Sequence, residues 1–402
     1  MTRAVRHDAM RARNMALVLG EVSRNGQATR AELAGRTGLT KTTVSRLVGD
    51  LISAGIAVES EARYGERGRP GVPVAVSGHR HAALGLEINV DHLSVCVVDL
   101  ARTVRHRRTL PGDNRGSDPA EVMTRLRAMA VEAVERTGLT IAGGVLAVPG
   151  PAVPADGLVR SAPNLGWHEV QPVELLGLPF PVSVDNEANL AALGELWFGS
   201  GVRDFLFVSG EVGIGAGLVV NGELFRGARG FAGELGHMVV RPDGPLCRCG
   251  GRGCLERYTG AEALLGDART VPELIARLAD PANDGASGET DGSAKPLDDV
   301  SRVEEAGTAL GVALASAVHL VDPGAIVLGG IFTPLFPWIH APVETALQER
   351  LGGLTGGPPP LTISTAGPDA AVLGAAGQVL QRVIADPAAL ITLTTPRDPA
   401  PR

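Results

Sequence analysis

Along the first 80 residues the apolar side chains fall on helical rather than alternating spacing. Met15, Leu17, Val18, Leu19 and Val22 predict a helix over residues 14–25, ended by Gly26. Thr29, with Glu32 three residues on, has the form of a capping box opening a short second helix. Gly38-Leu39 makes a turn, and Thr40 caps a third helix whose Val44, Leu47, Val48 and Leu51 form one stripe. A tight turn between those last two helices describes a helix-turn-helix. Beyond Gly55 the pattern changes to IAVES and, after a glycine-rich basic stretch, GVPVAV. Two short strands around a tip at Arg67-Gly68-Arg69-Pro70 read as a β-wing, with a plain linker as the competing reading.

Further on, HAALGLEINVDHLSVCVVDL (residues 81–100) predicts two adjacent strands, residues 118–137 an amphipathic helix, and IAGGVLAVPGPAV a buried strand with a Pro/Gly exit. VSVDNEANLAALGELWFG predicts a strand running into a helix, and EEAGTALGVALASAVHLVDP a helix before the strand AIVLGG. A last helix falls near residues 370–385. The polar stretch 283–295 reads as a disordered surface insertion, and residues 386–402 as a disordered Pro-rich tail.

Composition adds a division of labour. With 402 residues, 44% of them hydrophobic, the chain has material for two or three cores, which must be aliphatic because aromatics are only 3%. No apolar run approaches the roughly 18 residues of a membrane span, and the start MTRAVRHDAMRARNM lacks an apolar signal core. A cytoplasmic protein with no membrane partner is expected. The net charge of −7 argues against nucleic acid, but residues 1–80 hold 13 basic and 7 acidic side chains, a net of +6, leaving −13 on the remainder. A basic head on an acidic body points to operator DNA as the head's partner. Lys41, Thr42, Thr43, Ser45 and Arg46 would face a major groove from the third helix, with Arg30 on the helix before it. Arg67 and Arg69 suit a narrow minor groove.

Chemistry gathers between Gly233 and Glu256, GELGHMVVRPDGPLCRCGGRGCLE. Three of the four cysteines are here (Cys247, Cys249 and Cys254), together with His237; Cys96 lies apart. Three thiolates and one imidazole make the Cys3His set of a structural zinc site. Incidental thiols, or a disulfide with a spare, form the competing reading. Glu234 and Glu256 flank the set, so a metal loop here would also hold two carboxylates and an imidazole edge around a polar pocket.

The run GFAGELGHMVVRPDGPLCRCGGRGCLE, with VGIGAGLVVNGELFRGARG upstream, resembles the signature of the ROK family, which contains sugar kinases and repressors. The resemblance covers roughly residues 80–385, and the head resembles the winged helix-turn-helix of the family's repressors. It implies an α/β chain: a winged helix-turn-helix at residues 1–78, then a two-lobed actin-like ATPase (ribonuclease H-like) body. Lobe 1 would take residues 79–188 plus helix 370–385, and lobe 2 residues 189–369. It implies zinc on His237, Cys247, Cys249 and Cys254. Sugar hydroxyls would meet Asn164, Asn186, Glu187, Glu234, His237 and Glu256.

The chain departs from the family's kinases where ATP would sit. Their Asp-x-Gly-Gly-Thr is here Glu87-Ile88-Asn89-Val90-Asp91, and their Gly-Thr-Gly is Glu211-Val212-Gly213, so Asp91 and Glu211 set carboxylates beside the phosphate path. The glycines at 213, 215 and 217 then read as a tight strand turn. The family's catalytic Asp is Glu187, one methylene longer, which suits binding without turnover. The expectation is a sugar-responsive repressor, not an enzyme, working as a homodimer or homotetramer with a sugar or sugar phosphate effector. A bifunctional kinase with a DNA-binding head is the alternative.

Overall fold

The computed structural model describes residues 2–60, 71–150, 152–153, 157–279, 298–353 and 356–394. The head begins with α1 (Thr2–Asn25), which starts well before the expected residue 14. No glycine or proline interrupts its first half, and Arg11 ties it to Asp50 on the third helix at 2.9 Å. Strand β1 (Gln27–Thr29) leads into α2 (Arg30–Thr37), where Thr29 Oγ1 accepts from Glu32 N at 3.3 Å and Glu32 Oε2 accepts from Thr29 N at 2.7 Å. Left-handed Gly38 ends α2, and Thr40 caps α3 (Lys41–Ser53). The stripe Val44, Leu47, Val48 and Leu51 is at most 1% exposed, and each such side chain stabilises the head by about 1.5–3 kcal/mol. Strands β2 (Ala57–Glu59) and β3 (Pro73–Val76) pair antiparallel and complete the sheet β1-β3-β2. The wing tip with Arg67 and Arg69 lies outside the described residues.

The body repeats one topology. Strands β4 (His81–Ile88), β5 (His92–Asp99) and β6 (Val104–Pro111) form an antiparallel meander; after α4 (Pro119–Thr137), β7 (Thr140–Val148) adds parallel to β4. A small sheet of β8 (Ala152–Val153), β9 (Leu158–Ala162) and β10 (Trp167–Val170), then α5 (Pro172–Leu176), precede β11 (Val182–Asn186), which joins β7 in parallel. Helix α6 (Glu187–Phe198) crosses to the second lobe. There β12 (Phe205–Gly210), β13 (Ile214–Val220) and β14 (Glu223–Phe225) form another meander. Short helices α7 (Glu256–Thr259), α8 (Ala261–Leu265) and α9 (Val271–Ala279) follow, and α10 (Asp299–Val321) leads to β15 (Ile326–Gly330), parallel to β12. Helix α11 (Phe332–Leu351) then connects to β16 (Leu361–Ile363). The sheet orders, β11-β7-β4-β5-β6 and β14-β13-β12-β15-β16, are the same arrangement twice, the two-lobed ribonuclease H-like pattern. The polar stretch 283–295 lies outside the described residues.

Helix α12 (Ala370–Ala385) returns from the second sheet to lie on β4 and β7 and against α6. Bare backbone permits this. A Cβ on Gly85 would overlap Val372 O, one on Gly194 Ala370 O, and one on Gly374 Leu190 O, each under 3.0 Å. Gly374→Ala therefore costs about 3 kcal/mol, the upper end for overpacking, and lowers Tm by roughly 6–12 °C. Thermal denaturation beside Gly35→Ala, where the added methyl meets nothing within 4 Å, checks this; equal midpoints would refute the packing argument.

The tail expected from 386 is in part a helix. Pro387–Thr394 form α13, because proline is tolerated in a first turn and Leu390 is buried against the body. Residues 395–402 lie outside the described residues. Helix α1 packs against both α12 and α13, so head and first lobe share one continuous apolar cluster. His81 Nε2 contacts Ala54 O at 2.8 Å, and Ser77 N donates to Ile56 O at 2.8 Å, closing the junction.

Candidate functional site

The loop between β14 and α7 folds back on itself. Leu255 N donates to Met238 O at 2.8 Å and Cys247 N to Gly251 O at 2.8 Å, while left-handed Gly253 abuts Arg241 O where any Cβ would overlap. This brings His237, Cys247, Cys249 and Cys254 together, with all four ligand atoms within 4.8 Å of one another. Cys249 Sγ lies 3.7 Å from Cys254 Sγ, and Cys247 Sγ 3.9 Å from His237 Nδ1. Tetrahedral zinc bonds of about 2.0–2.3 Å give edges of about 3.6–3.8 Å, so the donors fit such an ion. Burial, then the facing thiols of Cys249 and Cys247, push the Cys254 thiol up to about 12.

With Nδ1 turned to the thiols, His237 Nε2 faces the other way, 3.8 Å from Glu234 Oε2. It opens on a cavity of about 380 Å³ between the lobes. Asn164, Asn186, Glu187, Glu234, His237 and Glu256 all line it. Gly213 makes room for Glu256, whose Oε2 would overlap a Cβ there and accepts from Ile214 N at 3.4 Å. Gly215 and Gly217 are not turn residues: they lie within β13 and let α6 approach through Ala188 and Ala192. Asn186 caps α6 through Asn189 N at 3.1 Å and donates to Gly150 O at 3.0 Å, so structure already occupies part of its amide. Glu234 is held above the usual carboxylate range by burial, with His237 opposing and Glu256 adding.

Glu187 also lines a second cavity, of about 30 Å³, with Glu87, Glu211 and Gly330. Burial first, then Glu211 and Glu87, push its carboxyl well above the usual range. Glu211 rises to about 7 through burial and then Glu87 and Asp91. The Oε2 atoms of Glu87 and Glu187 find no hydrogen-bond partner among the described residues. Burial of this kind disfavours the charged form of the Glu187 carboxyl. Asp91 itself is exposed and bonded to His92 at 2.6 Å. The acid that faces the chamber from β4 is Glu87, 4% exposed, which the sequence reading passed over. Burial pulls His92 down, but Asp91 and Glu87 outweigh it and hold the imidazolium up to about 10.

Sequence reasoning also missed a tie beneath the cavity. Asp185, fully buried on β11, accepts from Arg226 Nη1 at 2.9 Å, Arg226 Nη2 at 2.5 Å and Gln378 Nε2 of α12 at 2.9 Å. A carboxylate inside the apolar strand VSVDN was the available signal. On the head, α3 exposes Lys41, Thr42, Ser45 and Arg46 on one side. Thr43 is half-buried, its hydroxyl 2.9 Å from that of Thr40, and Arg30 is paired with Glu59 at the wing base.

A xylose repressor of Bacillus spizizenii is 26% identical to this chain over 380 residues, 92% of this chain and 96% of its own. A glucokinase of Thermotoga maritima is 32% identical over 254 residues, 58% of this chain and 78% of its own. A solved ROK family transcriptional regulator, described as a homolog of the E. coli MLC protein, aligns with a TM-score of 0.75 at 22% identity. That match covers 96% of this chain and 98% of the other, and at that identity it speaks for the fold alone. The MarR family model matches residues 13–68, the head. The ROK family model matches residues 83–382, from β4 through most of α12, and the chain belongs to the ROK family.

Proposed function

We propose that this chain is a sugar-responsive DNA-binding repressor of carbohydrate genes, whose kinase-like body binds sugar without phosphorylating it. One observation carries the reading: the polar lining of the 380 Å³ cavity is complete, while the space behind it, where a kinase would hold phosphates, is lined by Glu87, Glu187 and Glu211. Glu234, Glu256, Glu187 and the outer edge of His237 would grip hydroxyls. Zinc on His237, Cys247, Cys249 and Cys254 would fix the loop that carries three of these groups. Lys41, Thr42, Ser45 and Arg46 would enter the major groove, with Arg30, Thr43 and the wing arginines 67 and 69 at phosphates and the minor groove. Two heads in a homodimer or homotetramer would have to match two operator half-sites, so a change in lobe angle changes DNA affinity by the sugar's differential affinity for the two states.

The second reading, a sugar kinase with a DNA-binding head, draws on the glucokinase relative. The carboxyls of Glu87, Glu187 and Glu211 oppose it, since a triphosphate would have to enter beside them. A gel shift on DNA upstream of the chain's own gene, with and without D-xylose, D-glucose or N-acetyl-D-glucosamine, tests the proposal. The expected result is a shifted band that one sugar alters about 10-fold or more, with no ATP consumed in a coupled assay. Turnover at an ordinary enzymatic rate, or no retardation of that DNA, would overturn it.

A further inference from the structure

The charges around the cavity bear on which form of a sugar it accepts. Three of its polar groups are carboxyls, those of Glu187, Glu234 and Glu256, and behind Glu187 stand Glu87 and Glu211. Glu87 is 4% exposed, lines the inner space, and has its Oε2 unpartnered among the described residues. Two of the nearby cations are already matched. His92 is shared between Asp91 at 2.6 Å and Glu87 at 3.7 Å, and Arg226 is spent on Asp185. Arg248 lines the cavity at its rim, but its side chain is 61% exposed and lies 3.8 Å from Glu262. A divalent cation on three thiolates and one imidazole would itself leave a net charge of about −1.

We infer that the effector is an uncharged sugar and that this pocket rejects the phosphate ester of the same sugar, with Glu87 and Glu211 as specificity-determining residues. The inference rests on the sugar-binding reading above and narrows it. A phosphoryl group brings a charge of about −1.5 to −2. At an effective dielectric of about 20, a like charge 6–8 Å away weakens binding by roughly 30- to 100-fold. Burial first, and then the neighbouring carboxylates, raise Glu187 and Glu211, so the second of these causes reflects the same negative potential from the protein's side. A neutral ring pays none of this repulsion and offers hydroxyls that the carboxyls bond directly.

Isothermal titration of the intact protein at pH 8 with D-xylose, D-glucose and N-acetyl-D-glucosamine, and with xylose 5-phosphate, glucose 6-phosphate and N-acetylglucosamine 6-phosphate, tests it. For any sugar that binds, the ester is expected to bind at least 100-fold more weakly. The Glu87→Gln/Glu211→Gln variant, isosteric at both sites, is expected to narrow that gap about 10-fold or more. An ester that binds as tightly as its parent sugar overturns the inference while leaving the sugar reading standing. Heat from neither sugars nor esters overturns the sugar reading and this inference with it.

Discussion

Replacing Cys254 with serine is expected to strip the metal from the chain and the sugar response with it. Cys254 is 1% exposed and its sulfur forms one edge of the donor cluster, 3.7 Å from Cys249 Sγ. Serine offers no thiolate, and three remaining ligands hold zinc far more weakly. Metal binding at such a site is also folding energy, about 10–16 kcal/mol in isolated zinc modules, so without the ion the loop from Gly233 to Glu256 would lose a large stabilising contribution. Glu234 and His237 lie before the cysteines and Glu256 directly after them, so the cavity wall is disrupted on one side. Elemental analysis should fall from about one zinc per chain to near zero, and sugar affinity by roughly 100-fold or more. Cys96→Ser is the control: that thiol is buried on β5, donates to Val372 O at 3.2 Å and lies outside the cluster, so metal content should not change. Normal zinc and normal sugar binding in Cys254→Ser would refute the site.

Much of this molecule is readable before folding because its signals are local. The capping box at Thr29 and Glu32, the stripe of α3 and the His237–Cys254 cluster each lie within a span of at most 18 residues, where spacing largely sets geometry. What sequence reasoning misplaced depends on distant partners. Helix α1 runs on to Thr2, with Asp50 receiving Arg11, and α13 forms where a Pro-rich tail was expected because Leu390 finds a core. Gly215 and Gly217 looked like turn residues, yet their missing side chains are space for α6. Asp91 and Glu87 are four residues apart in one motif; only strand pairing reveals that Glu87 points inward and Asp91 outward.

The tie at Asp185 is the least local of these features and carries the second large prediction. Arg226 roots the segment that runs on to Gly230, Phe231 and Glu234 at the cavity wall, 41 residues from Asp185 in sequence, and Gln378 is 193 residues from it. Arg226→Ala would leave a fully buried carboxylate with Gln378 as its remaining side-chain partner, and losing one member of a buried pair costs about 3–5 kcal/mol. The guanidinium is 34% exposed, which places the loss nearer the lower figure. Urea denaturation should register it as a lower midpoint with little change in slope. Adding Asp185→Asn to Arg226→Ala removes the stranded charge and should recover about half of the loss, because two absent charges cost less than one alone. No recovery would mean that Arg226 acts through packing instead. The same pair bears on signalling: Asp185 precedes Asn186 and Glu187 in the cavity, Gln378 sits on α12, and α12 packs against α1 of the head. A double variant that regains stability and still binds sugar, yet no longer changes its DNA affinity when sugar is added, would place the coupling on this chain of contacts.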